Sequence, residues 1–530
     1  MSLLQKLTDI FRIHNLPSWY FLTPAVLVGM SVLIPLMYLL VRALEADTAL
    51  SMELVFRYRN LELLYNTVLL ALGTLVVGTL IALPLAWITT RTDIPGRGIL
   101  TLMGVLPLAI PGYVMAYALL GFTGANGTLA LVFGIELPRL SGFTGALTAI
   151  SLYTFPYLYL NFRSALSGLD PSLEEASRSL GYRPGEVFFR VTLPQLRPAY
   201  YAGALIIFLY VLGDFGAVSL MRFETFSYAI YLQYAASYDR IYAAWLALML
   251  LVLTSSALVV EYKLLRGLFF HRIGSGSDKK AVTIPLGAWK WPAYIFVTVL
   301  VLLSFVLPVS TILFWMMQTF DSQQLAGLQR ALAASVMASA PAALLATALA
   351  IPLAYIGVRH PSRLTRGLER IAYLGYATPP LAFALALIFF TLNTAPLLYQ
   401  TLTLLILAYA LHFLAEAIGP VRSSLYQASP RLEEAARSLG YGRLMAFFLA
   451  TFPVMRSGLI VSAAFVFMSA MKELPITFLL APVGFQTLAV NVWSYTAEAM
   501  FSQAAPYALV ILLFSTLFVG LLFAREWTSR

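Results

Sequence analysis

Three ionisable side chains stand inside long apolar stretches: Asp214 in LYVLGDFGAVSL, and Lys472 with Glu473 in FMSAMKELPITFLL. Charge in such surroundings is costly and usually faces a bundle interior or a wet cavity. Glu473 follows Asp214 by 259 residues, an interval that recurs below. Two carboxylates in matched places offer hard oxygen ligands to a cation. Asp214, Glu473 and Lys472 are therefore candidates to line a path through the molecule, with Asp214 and Glu473 as the metal-contacting pair. On the plainer reading Lys472 neutralises Glu473, and Asp214 caps a helix broken near Gly213 and Gly216. Other chemistry is thinly supplied. The chain has no cysteine and four scattered histidines, which excludes thiolate sites and disulfides and disfavours a histidine-metal centre. No HExxH motif or histidine-carboxylate cluster assigns a reaction, so an enzyme is not expected.

The elements that must hold these residues follow from composition. Of 530 residues, 60% are hydrophobic and 11% charged, where a soluble domain carries about 25% charged residues. A bilayer-spanning helix needs about twenty apolar residues. Such runs lie near 20–42, 64–90, 99–121, 143–162, 200–221, 242–262, 292–317, 331–357, 368–391, 402–421, 457–480 and 505–524. The expected fold is an all-α integral membrane protein with about twelve spans in two six-helix halves. An outer-membrane barrel would alternate over about ten residues instead. Pro84, Pro107, Pro111, Pro352, Pro379 and Pro380 imply kinks. The run from Tyr20 to Val41, behind a mixed segment with Lys6, Arg12 and His14, is too long for a signal-peptide core and reads as a retained first span. Most of the 34 lysines and arginines fall in alternate loops, which places both termini in the cytoplasm. The net charge of +10 is thus a topology signal that also meets membrane lipid, and no nucleic-acid partner is expected. A polar stretch around Gly274–Lys280 divides the chain into a first half, 1–265, a cytoplasmic linker, 266–291, and a second half, 292–530.

The halves repeat. PSLEEASRSLGYRPGEVFFRVTLPQLRP, from Pro171 to Pro198, and PRLEEAARSLGYGRLMAFFLATFPVMRS, from Pro430 to Ser457, share fifteen of twenty-eight positions at the same interval of 259, where chance gives about two. Each copy opens as a helix, with Asp170 or Ser429 at the N-cap and Pro171 or Pro430 at the first position. Glu174, Glu175, Glu433 and Glu434 suit the first turn and its dipole. Leu173, Ala176 and Leu180, like Leu432, Ala435 and Leu439, form an apolar stripe. Gly181 and Gly440 end the helices as left-handed caps. The aromatic pairs Phe188–Phe189 and Phe447–Phe448 follow, then Pro194 and Pro453 lead into the next span. A polar loop with an apolar stripe and an aromatic pair turned to the cytoplasm calls for a partner surface. The alternative is an amphipathic helix lying on the membrane.

Glu175-Ala176-Ser177 and Glu434-Ala435-Ala436, each followed by its glycine and later its proline, resemble the EAA loop of ABC importer permeases. The loops cover about 167–198 and 426–457, and the six-plus-six arrangement extends the resemblance over nearly the whole chain. Ser177 is a mild departure. The resemblance implies a type I ABC importer permease fold in a bacterial inner membrane, two copies of an ABC ATPase subunit docked on the loops, and a substrate-binding protein outside. Glu174, Glu175, Ala176, Gly181, Pro194, Glu433, Glu434, Ala435, Gly440 and Pro453 become the ATPase-coupling residues. The chain carries no GxxxxGK[ST] phosphate loop, the Gly274–Lys280 stretch having the wrong spacing, so ATP and Mg belong to the partner subunits and this chain binds no cofactor. LGDFGAVSLMRFET and MKELP are similar to the ferric-iron branch of the family, whose permeases are commonly fused. The resemblance implies Fe3+ as cargo, with thiamine, polyamine or phosphonate importers as alternatives. A secondary transporter would also show repeats and central carboxylates but has no use for duplicated docking loops.

Two smaller expectations complete the reading. Glu416 is a local partner for Arg422. Tyr228, Tyr231, Tyr234, Tyr238 and Tyr242 follow helical spacing as an aromatic belt, or as hydroxyl ligands for a hard cation.

Overall fold

A computed structural model describes residues 19–45, 47–237, 239–265, 283–319 and 322–528. Lys6, Arg12, His14, Tyr238 and most of the expected linker lie outside the described residues. Those described are overwhelmingly helical and contain no strand, only an isolated bridge between Thr92 and Ile284. Helices suit a chain rich in long apolar runs, because they satisfy every backbone polar group within the segment.

Among the described residues seven helices are long and apolar enough to cross a membrane, or up to eleven when each of four sharply bent pairs is one span. The twelfth expected span is the helix Gly142–Gly168, which is long enough but carries Tyr153, Thr154, Tyr157, Tyr159 and Asn161. Its buried positions run without a gap from Ala149 to Pro156. All its faces are enclosed there, mainly by the helices Tyr58–Arg91 and Arg197–Gly213. A helix surrounded by protein tolerates hydroxyls and amides that lipid would penalise.

The prolines act unequally. Pro84 and Pro352 sit within the unbroken helices Tyr58–Arg91 and Ser322–Arg359. Sharp bends of 94° and 106° occur at 110–111 and 378–379 instead. There Ile110 and Thr378, the residues before Pro111 and Pro379, have left the helical region, with ψ of 112° and 128°. Proline disfavours the helical conformation of its predecessor, and these two sites yield to it.

The described chain forms two compact units. The early unit comprises the described residues within Arg57–Ala229, Met249–Gln324 and Val492–Arg530; the late unit comprises the described residues within Met1–Phe56, Ile230–Leu248 and Leu325–Asn491. Within the late unit the chain's first span, Trp19–Ala43, packs on Arg363–Ala377 and Pro380–Thr394. Within the early unit Leu307–Thr319 packs on Gly112–Phe122 and Phe501–Thr528. The span that opens the first half is thus housed among helices of the second, whereas the span that opens the second half packs on helices of both.

Candidate functional site

Both repeated loops fold alike. The helices Pro171–Ser179 and Pro430–Ser438 are followed by Gly181 at φ +88° and Gly440 at φ +93°, the left-handed conformation that favours glycine. Each loop continues through one helical turn into a π-helical turn, Phe188–Thr192 or Phe447–Thr451. At the first N-cap the Asp170 carboxylate accepts from Ser172 N–H at 3.0 Å. Ser429, expected to do the same, makes no side-chain cap, and its carbonyl accepts from Leu432 N–H at 3.1 Å.

The paired glutamates face opposite ways. Glu174 is buried, accepting from Arg91 Nη2 at 3.0 Å and Thr192 Oγ1 at 3.1 Å, with Arg178 at 4.0 Å. The Arg91 side chain is only 1% exposed. Glu433 accepts from Tyr355 Oη at 2.7 Å and from Thr451, while Arg359 stands 4.0 Å off and donates to the Ala428 carbonyl. Glu175, Ala176, Glu434 and Ala435 are exposed. So are Leu180 and Leu439, at about four-fifths each. The aromatic pairs are split in the same way. Phe188 packs edge-on against Trp87, and Phe447 is buried against Phe21 and Tyr355, so only Phe189 and Phe448 look outward. The outward surface of each loop therefore carries an apolar stripe, the rings of Phe189 and Tyr182 or of Phe448 and Tyr441, one glutamate, and exposed arginines, among them Arg178 and Arg437. Pro194 lies near the end of the helical stretch Pro184–Gln195, which is bent by 60° from Arg197–Gly213, whereas Pro453 is the second residue of the helix Phe452–Met471, which continues the preceding turns without such a bend.

Sequence reasoning missed Arg91 and Arg359. Each is the last residue of a long apolar helix, and their charge reads as a topology marker. The signal was positional, since both sit at the corresponding helix end in their halves.

The acids lie at corresponding breaks. Helix Arg197–Gly213 stops at Asp214 and resumes as Gly216–Leu220; helix Phe452–Met471 stops at Lys472 and resumes as Pro475–Leu480. Asp214 Oδ1 accepts from the N–H groups of Ala217 and Val218 at 3.0 and 3.1 Å, and Oδ2 from the Tyr153 hydroxyl at 3.1 Å. A Cβ on Gly112 would lie 2.7 Å from Asp214 Oδ2, so glycine is required for this approach. Glu473 Oε1 accepts from Ile476 N–H at 2.7 Å. Both acids cap the resumed helix, as the plainer reading expected of Asp214. The expected neutralisation of Glu473 by Lys472 gives way to another arrangement. Lys472 has Glu416 as its electrostatic partner, and Glu416 accepts from Ser469 at 2.6 Å. Arg422 correspondingly pairs with Glu369, not Glu416. Asp214, Lys472 and Glu416 remain partly accessible. The tyrosine series turns inward in part: Tyr242 is buried, and the half-buried Tyr231 packs edge-on against Phe478.

Duplicated helix–glycine–π loops joined to capped, broken spans define a transport permease. The chain matches the family described as binding-protein-dependent transport system inner membrane component over residues 48–270 and 342–526, and it belongs to that family. Among its relatives, the Fe(3+)-transport system permease protein FbpB 2 of Haemophilus influenzae is 33% identical over 514 residues, 96% of this chain and 98% of that protein. The molybdenum transport system permease protein ModB of Escherichia coli is 35% identical over 29% of this chain and 69% of its own length. The sulfate transport system permease protein CysT of Escherichia coli is 28% identical over 37% and 71%. The chain is thus a multi-pass integral membrane permease whose two halves each carry the family domain.

Proposed function

We propose that this chain is the permease of an ATP-driven ABC importer that carries ferric iron delivered by an external binding protein. The carrying observation is the end-to-end similarity to a ferric-iron permease of the same double length. Both termini then face the cytoplasm of a bacterial cell, with ATP and Mg bound by two ATPase subunits and no catalysis by this chain. The halves run over 1–265 and 292–530, joined by the linker 266–291.

The exposed residues of each loop suit a docking role: Glu175, Ala176 and Leu180 in one, Glu434, Ala435 and Leu439 in the other. An apolar and aromatic patch rimmed by charged side chains resembles one side of a protein interface. Glu174 and Glu433 serve the same role from within, fixing each helix to the end of a span. Gly181 and Gly440 set the turn that ends each docking helix, and Pro194 and Pro453 set the departure of the next span.

Asp214, Glu473 and Lys472 are proposed to line the path. The capped breaks support this, because a carboxylate beside unwound backbone offers a hard cation oxygen ligands where a continuous helix offers none. Asp214→Asn with Glu473→Gln keeps one oxygen acceptor for each cap and removes both charges. Uptake is expected to fall more than basal ATP hydrolysis; equal losses, or none, remove the acids from the path.

Reconstitution with the cognate ATPase and binding protein tests the whole reading. Ferric iron is expected to stimulate ATP turnover, and thiamine, polyamine, phosphonate, molybdate and sulfate are not. Stimulation by one of these others would overturn the cargo. Glu175→Lys with Glu434→Lys is expected to abolish transport while the protein still inserts, and undiminished uptake would sink the coupling role.

A further inference from the structure

The early unit holds a contact that none of these roles uses. The end of the linker and the residues just after it, 283–294, lie along the turn that follows helix Tyr58–Arg91. Ile284 N–H donates to the Arg91 carbonyl at 2.8 Å, and Asp93 N–H donates to the Ile284 carbonyl at 3.2 Å. Asp93 Oδ1 accepts from Leu286 N–H at 2.9 Å, and Oδ2 meets Lys290 Nζ at 3.3 Å. The Tyr294 hydroxyl donates to the Pro95 carbonyl at 3.2 Å. Neighbouring Thr92 is fully buried. A strand-like segment has been clamped to a turn, in a unit otherwise built from helices.

Arg91 links the clamp to the loop. Its carbonyl takes the Ile284 N–H, and its guanidinium holds Glu174. Nε and Nη1 of that buried guanidinium have no protein partner. One bond at Nη2 does little to fix a long side chain, so its place depends on the backbone from which it springs. The clamp fixes that backbone at 91 and 93. It also fixes the start of the helical run that packs on Gly112–Phe122 and Phe501–Thr528.

We propose that residues 283–294 are a positioning element for the Arg91–Glu174 pair, with Asp93 as the positioning residue, so that the inter-half linker sets where the early docking helix stands. The clamp stays closed throughout the transport cycle. This deepens the coupling reading of the 171–198 loop and rests on it.

The test uses the full permease with its ATPase subunits in lipid nanodiscs, without cargo. Asp93→Ala and Ile284→Pro are expected to raise the ATPase concentration giving half-maximal turnover about fivefold, the lower end of typical coupling. Asp93→Glu, which keeps the carboxylate, is expected to restore most of it. A merely structural role would lower the amount of folded complex without moving that concentration. The chain's lack of cysteine allows a second variant, Thr92→Cys with Ile284→Cys, that ties the clamp shut. Oxidised and reduced forms are expected to turn over ATP equally; loss on oxidation shows that the clamp must open and overturns the proposal. Glu175→Lys with Glu434→Lys serves as the reference. If that double variant keeps its ATP turnover, the coupling reading fails and the proposal falls with it. If the double variant loses turnover while Asp93→Ala and Ile284→Pro match wild type, the clamp alone is wrong.

Discussion

The early and late loops share a backbone and differ in what secures it. In the early loop Glu174 is neutralised by a buried arginine and the N-cap is a carboxylate; in the late loop Glu433 rests on hydroxyls of Tyr355 and Thr451 and the cap side chain is idle. The early loop leaves through a 60° bend where Pro198 stands, and the late loop, with Ser457 there, continues into Phe452–Met471. Matching residue types at matched spacing therefore preserve a shape while the forces beneath it diverge. The early loop depends on a buried ion pair and the late loop mainly on hydroxyls that donate to its carboxylate, with Arg359 at 4.0 Å.

That contrast can be broken most sharply at the inward-facing glutamates. Glu174→Gln strands the Arg91 charge and is expected to destabilise the permease by about 3–5 kcal/mol. Glu433→Gln weakens hydroxyl bonds to a charged acceptor and is expected to cost about 1.5–3 kcal/mol. Unfolding of the two purified variants compares them directly, and equal losses would erase the asymmetry. Next comes the bend. Ser457→Pro places proline inside a helix and is expected to cost about 3 kcal/mol, whereas Pro198→Ser costs little; limited proteolysis and melting check both. The caps are smaller. Asp170→Ala is expected to cost about 1 kcal/mol, and Ser429→Ala nothing measurable by the same melting assay.

The smallest effect is one of pH, at the clamp of the early unit. The Leu286 N–H, and after it Lys290, hold the Asp93 carboxyl below its ordinary value. The stability this contributes is fully present above the unfolded carboxylate value and is lost as pH falls through the lower folded one. Melting curves of wild type and Asp93→Asn are expected to differ at neutral pH and to converge on acidification.

Much of this was legible in sequence because it depends on local physics. Apolar run length marks spans, and the 259-residue repeat marked both loops and the paired breaks. Gly181 and Gly440 were readable because left-handed backbone favours glycine. Partners distant in sequence were not readable. Nothing local distinguishes Glu174, turned inward to Arg91, from Glu175, turned outward, or tells that Lys472 stands in the field of Glu416. Gly142–Gly168 was legible as the run 143–162, but the enclosure of its hydroxyls and amide by Tyr58–Arg91 and Arg197–Gly213 was not, because what encloses it is tertiary.

The placement of the first span has a consequence in time. Trp19–Ala43 is synthesised early, yet the two helices that mainly enclose it, Arg363–Ala377 and Pro380–Thr394, begin at Arg363. At 5–20 residues per second the ribosome needs roughly 16 to 64 s to reach them. Throughout that interval the helix stands in lipid without its mate, so this permease matures by holding its first span in reserve until the last third of the chain arrives.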